Sequence, residues 1–388
     1  MKPMNANEMS PVLELTIDLI RRPSVTPADE GCQQLMADRL AAQGFAIESM
    51  FFEDTLNLWA RRGQGKPLFC FAGHTDVVPT GPLAQWHSDP FVPEIRDGML
   101  YGRGTADMKG FIAVALALVP ELLALPLKNP LHLVLSFDEE LGCLGGPRLI
   151  ARYVREFPAA RAAIVGEPTG MRLANAHKCV SVFRTHITGK PGHSSNPDAG
   201  VNAIAVAAAA IRFLMREAEA LKAGAGDPRF DPPHATVSVG QIQGGTAINI
   251  IAGDCSFVWD CRSVTGSEAT ALEAAFADHC ALELLPQMRE KAPQATIETV
   301  RHCAVPPLVA RADNPAEALV RRLTGRNEAH VSSFAAEAGM FQQAGIPAVL
   351  CGPGEITQAH QADEFVAISQ LEACADFLRS LGRWCAQA

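Results

Sequence analysis

His74 and Asp76 stand on either side of a threonine in FAGHTDVVPT (71–80), just where an apolar run gives out. Two more apolar runs end in the same way. LHLVLSF (131–137) is followed at once by Asp138, Glu139 and Glu140, and AAIVG (162–166) by Glu167. Asp107 lies in the glycine-rich stretch YGRGTADMKG (101–110). So many carboxylates brought to one place would repel one another unless cations held them together. Imidazole nitrogen and carboxylate oxygen, with no cysteine required, suit zinc or a neighbouring divalent ion such as cobalt or manganese. A pair of dications balances three ligand carboxylates and a bridging hydroxide, and such a pair, about 3.5–4 Å apart, clamps a hydrolytic transition state. Strand alternation points His74 and Asp76 to the same side. Asp76 is then expected to accept the hydrogen bond of the second ring nitrogen of His74 and to fix its tautomer.

Convergence needs elements that end at a common edge. The apolar runs at 67–73, 131–137 and 162–166 read as buried strands, and 108–118 as a core helix, with further helices over 9–20 and 32–43. Strands alternating with helices predict an α/β domain with a central mixed sheet, and sites in such sheets form at the carboxyl ends of the strands. The pattern changes near residue 176. Alternating strands at 179–189, 235–245, 255–263 and 296–302, with helices over 201–223 and 267–288, give the order βαββαβ of a ferredoxin-like α+β domain. The expected organisation is a catalytic domain in two parts, 1–175 and 303–388, interrupted by an insertion over 176–302. The stretch 223–233, rich in Gly, Pro and Asp, predicts a surface loop.

Bulk properties narrow the possibilities. The net charge of −9 carries no long basic run, which argues against nucleic acid or an anionic membrane as partner. The residues before 17 lack the apolar core of a signal peptide, and the most apolar stretch, 111–125, is too short to span a bilayer. The cysteines, 11 of them at irregular spacing with no CxxC, read as reduced thiols of a cytoplasmic protein. Cys143, Cys179 and Cys351 read as small buried side chains rather than nucleophiles.

GHTDVVP, YGRGTADMKG, SFDEE, VGEPT, KPGHSS and QAHQADE, in this order, resemble the dinuclear zinc amidohydrolases, a family of aminoacylases, carboxypeptidases, desuccinylases and deacetylases. The resemblance covers essentially the whole chain. It implies that His74 and Glu167 hold one metal, that Glu140 and His360 hold the other, and that Asp107 bridges them. It also implies Glu139 as general base and a cis peptide between Asp107 and Met108. His193 is expected to supply an oxyanion contact across a dimer interface, so the inserted domain would make a homodimer. Arg262 is a candidate for gripping a substrate carboxylate, since a guanidinium matches it with two parallel hydrogen bonds. Asn249 is a further candidate substrate contact, and Glu337 could face a cationic amine. Within the family, GTADMKGF, AHK (176–178), AEAGMF (336–341) and GPGEITQAHQADE (352–364) are most similar to acetylornithine deacetylases. Cys179, Ala252 and Ala336 depart from that pattern. The implied substrate is a small N-acyl amino acid, N2-acetyl-L-ornithine first, with N-succinyl-diaminopimelate or another N-acyl amino acid as the alternative.

Overall fold

The computed structural model describes residues 9–52, 55–65, 69–157, 160–224 and 226–387. The chain divides into two compact units, one comprising 1–176, 308–330 and 336–388, the other 177–307 and 331–335.

The first unit is built on a mixed sheet whose strands lie in the order Ala46–Phe52, Thr55–Arg62, Leu131–Ser136, Cys70–His74, Ala163–Pro168, Ala348–Gly352. Cys70–His74 pairs in parallel with both Leu131–Ser136 and Ala163–Pro168, and Ala348–Gly352 is parallel to Ala163–Pro168. The four central strands therefore run the same way and finish at one edge. Each is buried along its whole length, as expected of parallel strands covered on both faces. Residues 67 and 68 of the first expected strand lie outside the described residues, and the strand is extended to His74.

The expected helix at 108–118 forms as Gly110–Ala117, seven of its eight residues buried. Its Phe111 ring packs directly on Gly166, where a Cβ would overlap the ring. Glycine one residue before Glu167 thus lets the core helix press on the strand that carries a site carboxylate. Lys109, fully buried, donates from Nζ to the carbonyls of Leu19 at 3.0 Å and Arg22 at 2.7 Å. It ties the Asp107 loop to the carbonyl end of the first helix, Pro11–Ile20, whose last turn carries no basic residue of its own.

The second unit is a four-stranded antiparallel sheet in the order Thr236–Gly244, Asp254–Ser263, Cys179–Thr188, Thr296–Val305. With Ala203–Lys222 and the helical run beginning at Ser267 it has the βαββαβ, ferredoxin-like order. Its core is centred on Phe183 and Trp259, stacked at 4.1 Å between ring centroids. This unit extends past the expected limit of 302. A bulge between Arg301 and Cys303 breaks the strict alternation, so the sequence pattern stops there while the strand continues to Val305. Among the described residues, no helix is long and apolar enough to cross a membrane. All 11 cysteines are buried.

Candidate metal centre

The shared edge of the four parallel strands collects the expected ligands. His74 is the last residue of its strand, Glu139 and Glu140 follow Leu131–Ser136, and Glu167 is the last residue but one of Ala163–Pro168. His360 comes from the loop after Ala348–Gly352, at a left-handed φ of 61°. Asp107 sits between the two halves. Its Oδ1 lies 3.1 Å from His74 Nε2, and its Oδ2 lies 3.2 Å from His360 Nε2. Glu167 Oε1 is 3.9 Å from His74 Nε2, and Glu140 Oε2 is 3.1 Å from His360 Nε2. Two groups result, His74–Asp107–Glu167 and Asp107–Glu140–His360, with the ligand atoms of each within 4.8 Å of one another. The peptide between Asp107 and Met108 is cis.

The electrostatics of the cluster fit divalent cations. Burial pushes Glu167 well above the usual carboxylate range and raises Glu140 as well, and in both cases the neighbouring Asp107 adds to the shift. Burial also disfavours a charged Asp107, but its bonds to His360 and His74 outweigh that and hold it below its ordinary value. The His360 imidazole is lifted to about 11 by its bonds to Asp107 and Glu140. Burial alone would push His74 down, yet the bonds to Asp107 and Asp76 hold it well above the usual range. Among the described residues no lysine or arginine forms an ion pair with these five side chains. Positive charge is therefore wanted at the nitrogens and oxygens that would ligate a metal, and no fixed cation supplies it.

Glu139 is half-buried beside this cluster, and loss of solvent around its carboxyl pushes it up to about 8. A carboxyl raised toward neutrality is what a general base working near pH 7 needs.

The orientation of His74 is achieved differently from the expectation. Its Nδ1 lies 3.0 Å from the backbone carbonyl of Asp76, whereas the nearest Asp76 carboxylate oxygen is 3.5 Å away. The strand ends at His74, so alternation no longer governs Asp76. Its carboxylate turns to the next loop instead, and Oδ2 accepts from the Glu140 N–H at 3.0 Å. An Nδ1–H donated to a carbonyl still leaves the Nε2 lone pair facing Asp107 and Glu167, so the tautomer suits a metal ligand. Asp76 thereby serves two ligands, one through each of its main-chain and side-chain oxygens.

Glu337 is 2% exposed, and a Cβ at Gly146 would come within 2.5 Å of its Oε1, an atom with no hydrogen-bond partner. Burial pushes its carboxyl up to about 7. A raised folded-state value means that the unfolded chain releases this proton first. The contribution is complete below the ordinary value of 4.5 and is lost as pH rises toward 7. Glu337→Gln should abolish that slope, raising stability at pH 8 relative to pH 5 by on the order of 3 kcal/mol. Urea melts of both proteins at the two pH values measure it, and parallel pH dependences would contradict it.

One supporting network was not legible in the sequence. Arg103 and Glu364, both buried, pair at 2.7 Å across 261 positions of chain. Glu364 Oε1 also accepts the N–H groups of Ala106 at 2.9 Å and Asp107 at 3.2 Å. The loop bearing Asp107 and the loop bearing His360 are thus tied together behind the ligands. The one signal in sequence was the acidic residue closing QAHQADE.

His193, Asn249 and Arg262 belong to the second unit. His193 Nδ1 lies 2.8 Å from Ser195 Oγ, and the Ser194 N–H donates to the Asn249 carbonyl at 3.0 Å. Arg262, in the strand Asp254–Ser263, approaches Asp260 at 3.7 Å and is half-exposed.

Carboxylates and imidazoles gathered at the common end of parallel strands, with the half-buried Glu139 beside them, define a metal-dependent hydrolase. The family model described as peptidase family M20/M25/M40 matches residues 70–383, and the chain belongs to that family. Three solved structures share the fold. A metallo-carboxypeptidase of the M20 family from Sulfolobus solfataricus is 17% identical, with a TM-score of 0.77 and coverage of 98% of this chain and 100% of that one. Human carnosine dipeptidase 1 is 18% identical at a TM-score of 0.74, with 97% of each chain covered. A tripeptidase from Staphylococcus aureus is 19% identical at a TM-score of 0.72, covering 97% of this chain and 98% of that one.

Proposed function

We propose that the protein hydrolyses the amide bond of an N-acyl amino acid, with N2-acetyl-L-ornithine as substrate and acetate and L-ornithine as products, a step toward arginine in the cytoplasm. The observation that carries the hydrolytic reading is the division of the Asp107 carboxylate between His74 and His360, 3.1 and 3.2 Å away, beside the half-buried Glu139. The acetylornithine reading rests on the similarity of the segments around Asp107, His177, Glu337 and His360 to deacetylases.

His74 and Glu167 would hold one divalent ion, Glu140 and His360 a second, and Asp107 both. Zinc, cobalt or manganese bound there lowers the pKa of water from 15.7 to about 7 and polarises a carbonyl oxygen. Glu139 takes the proton of the attacking water and delivers it to the leaving amine nitrogen. His193 donates to the developing oxyanion. Arg262 receives the substrate α-carboxylate on its fork of N–H groups, and Asn249 adds an amide contact. Glu337 faces the side-chain ammonium of ornithine by charge complementarity. The inserted unit pairs two copies of the chain. Its outermost strands, Thr236–Gly244 and Thr296–Val305, have an unpaired edge and expose Ile242 and Val300 at 55% and 60%.

The test is turnover of the metal-reconstituted protein on N-acetylornithine, N-succinyl-diaminopimelate, N-acetylmethionine and an unblocked dipeptide. N-acetylornithine should give the highest kcat/KM. Preference for the succinyl substrate or the dipeptide would replace the deacetylase reading by that of a desuccinylase or a peptidase. Turnover of none of the four would remove the N-acyl amino acid reading altogether. Glu337→Gln should weaken N-acetylornithine more than N-acetylmethionine, and equal losses would strip Glu337 of its substrate role.

A further inference from the structure

The turn after the strand Leu131–Ser136 is unusually constrained for a stretch of ordinary residues. Asp138 and Cys143 both adopt left-handed backbone angles, with φ of 61° and 56°. The N–H groups of Gly142 and Cys143 converge on the Glu139 carbonyl at 2.8 and 2.6 Å, and the Leu144 N–H closes on the Asp138 carbonyl at 2.9 Å. The Asp138 carboxylate accepts from Thr26 Oγ1 at 3.0 Å and Thr55 Oγ1 at 2.9 Å, which pins the start of the turn. A left-handed position ordinarily goes to glycine. Here it carries a thiol, 1% exposed, whose Sγ donates to Glu139 Oε1 at 3.1 Å.

We propose that Cys143 is a positioning residue for Glu139: its thiol holds Oε1 so that Oε2 is the oxygen aimed at the attacking water. This rests on the reading of Glu139 as general base. Among the described residues the thiol is the one side chain hydrogen-bonded to that carboxylate. Oε1 is occupied, so the carboxylate cannot rotate to exchange its oxygens without losing the bond. The donor is a weak one. A thiol restrains the group without sharing its charge as strongly as an ammonium or guanidinium would, and the carboxylate keeps its capacity to accept a proton. The left-handed backbone sets the direction of Cβ, and with it the direction of the S–H. Packing calls for a small buried side chain at this position, and it does not by itself require a hydrogen-bond donor.

Three variants test this on the metal-loaded full-length chain. Cys143→Ala and Cys143→Gly should each lower kcat about tenfold while KM stays within about twofold, since the lost interaction orients a reacting group rather than binding substrate. Cys143→Ser, which keeps a donor, should restore kcat to within about a factor of two. Glycine suits the left-handed backbone and alanine does not, so the glycine variant should melt no lower than the alanine variant despite the shared loss of kcat. A crystal structure of Cys143→Ala should show the Glu139 carboxylate rotated from its wild-type plane, a readout independent of activity. Full kcat in the alanine or glycine variant, or failure of serine to restore it at unchanged melting temperature and metal content, would overturn the proposal. Glu139→Gln measured alongside separates the two readings. If that variant turns over at the wild-type rate, Glu139 is no base. If it is inactive while Cys143→Ala is fully active, the base stands and only the positioning role is lost.

Discussion

Glu139→Gln lowers kcat by about 100- to 10,000-fold, the range that a positioned general base contributes. The substitution is nearly isosteric, and the amide oxygen can still accept from the Cys143 thiol that now lies 3.1 Å from Oε1. The turn and its backbone bonds therefore stay in place. What disappears is the ability to take a proton. Glu139 is not among the ligand atoms of either metal group, so metal content should be unchanged. KM should move little, because the lost interaction belongs to the transition state. The measurement is kcat and KM against N-acetylornithine or whichever substrate turns over best, with metal determined on the same sample. A kcat within fivefold of wild type would mean that another group carries the proton. The desolvated setting that pushes Glu139 up to about 8 also predicts the form of the pH profile. A base must be unprotonated to act, so kcat/KM rises through an acid limb as pH increases. Bound cations lower that apparent value from about 8, since positive charge favours the carboxylate.

Asp107→Ala is expected to have the second large effect, because it would reach both proposed metal positions at once. A single carboxylate faces His74 with one oxygen and His360 with the other. Truncating it removes a ligand from each group and the negative charge shared between them. The expected result is loss of at least one equivalent of bound metal and a fall in kcat of at least about a thousandfold. Single substitution of Glu167 or Glu140 should cost metal at one position only. Equilibrium dialysis followed by elemental analysis reads the stoichiometry. Two equivalents retained by Asp107→Ala would contradict the bridging arrangement. A second consequence concerns stability without metal. The bonds to Asp107 and Glu140 lift His360 to about 11 from its ordinary 6.5. A raised histidine value stabilises the fold fully below 6.5 and progressively less as pH climbs toward 11. Asp107→Ala removes the larger of those two bonds. The metal-free variant should therefore lose more stability at pH 6 than at pH 10, measurable in chelator-treated urea melts.

The two effects depend on unlike kinds of information. Three of the residues that would hold metal, His74, Glu140 and Glu167, are conspicuous because each follows a run of apolar residues. Strand length, burial and the abrupt change to His, Asp or Glu are all local features, and local features survive in a linear string. The four parallel strands then bring His74, Glu140, Glu167 and His360 to one edge, as the α/β pattern implied. The inserted unit was legible for a related reason, since a half-exposed antiparallel strand alternates visibly. Its end was misplaced where the bulge at Arg301–Cys303 shifted the alternation by one. Alternation ends with the strand at His74, so the Asp76 carbonyl lies nearer His74 Nδ1, at 3.0 Å, than the Asp76 carboxylate does, at 3.5 Å.

Sequence by itself thus determined the class of chemistry, through the donor types and their places at the ends of apolar runs. Only the tertiary structure decided how the donors are oriented. The buried pair of Arg103 and Glu364, 2.7 Å apart, joins residues 261 positions distant, and no periodicity relates them. The split of the Asp107 oxygens and the contact of the Cys143 thiol with Glu139 are directions of side chains, set by packing from several elements together. A residue's type and neighbours in the chain specify what it can bond to, and the folded arrangement of distant segments specifies which of those bonds is made.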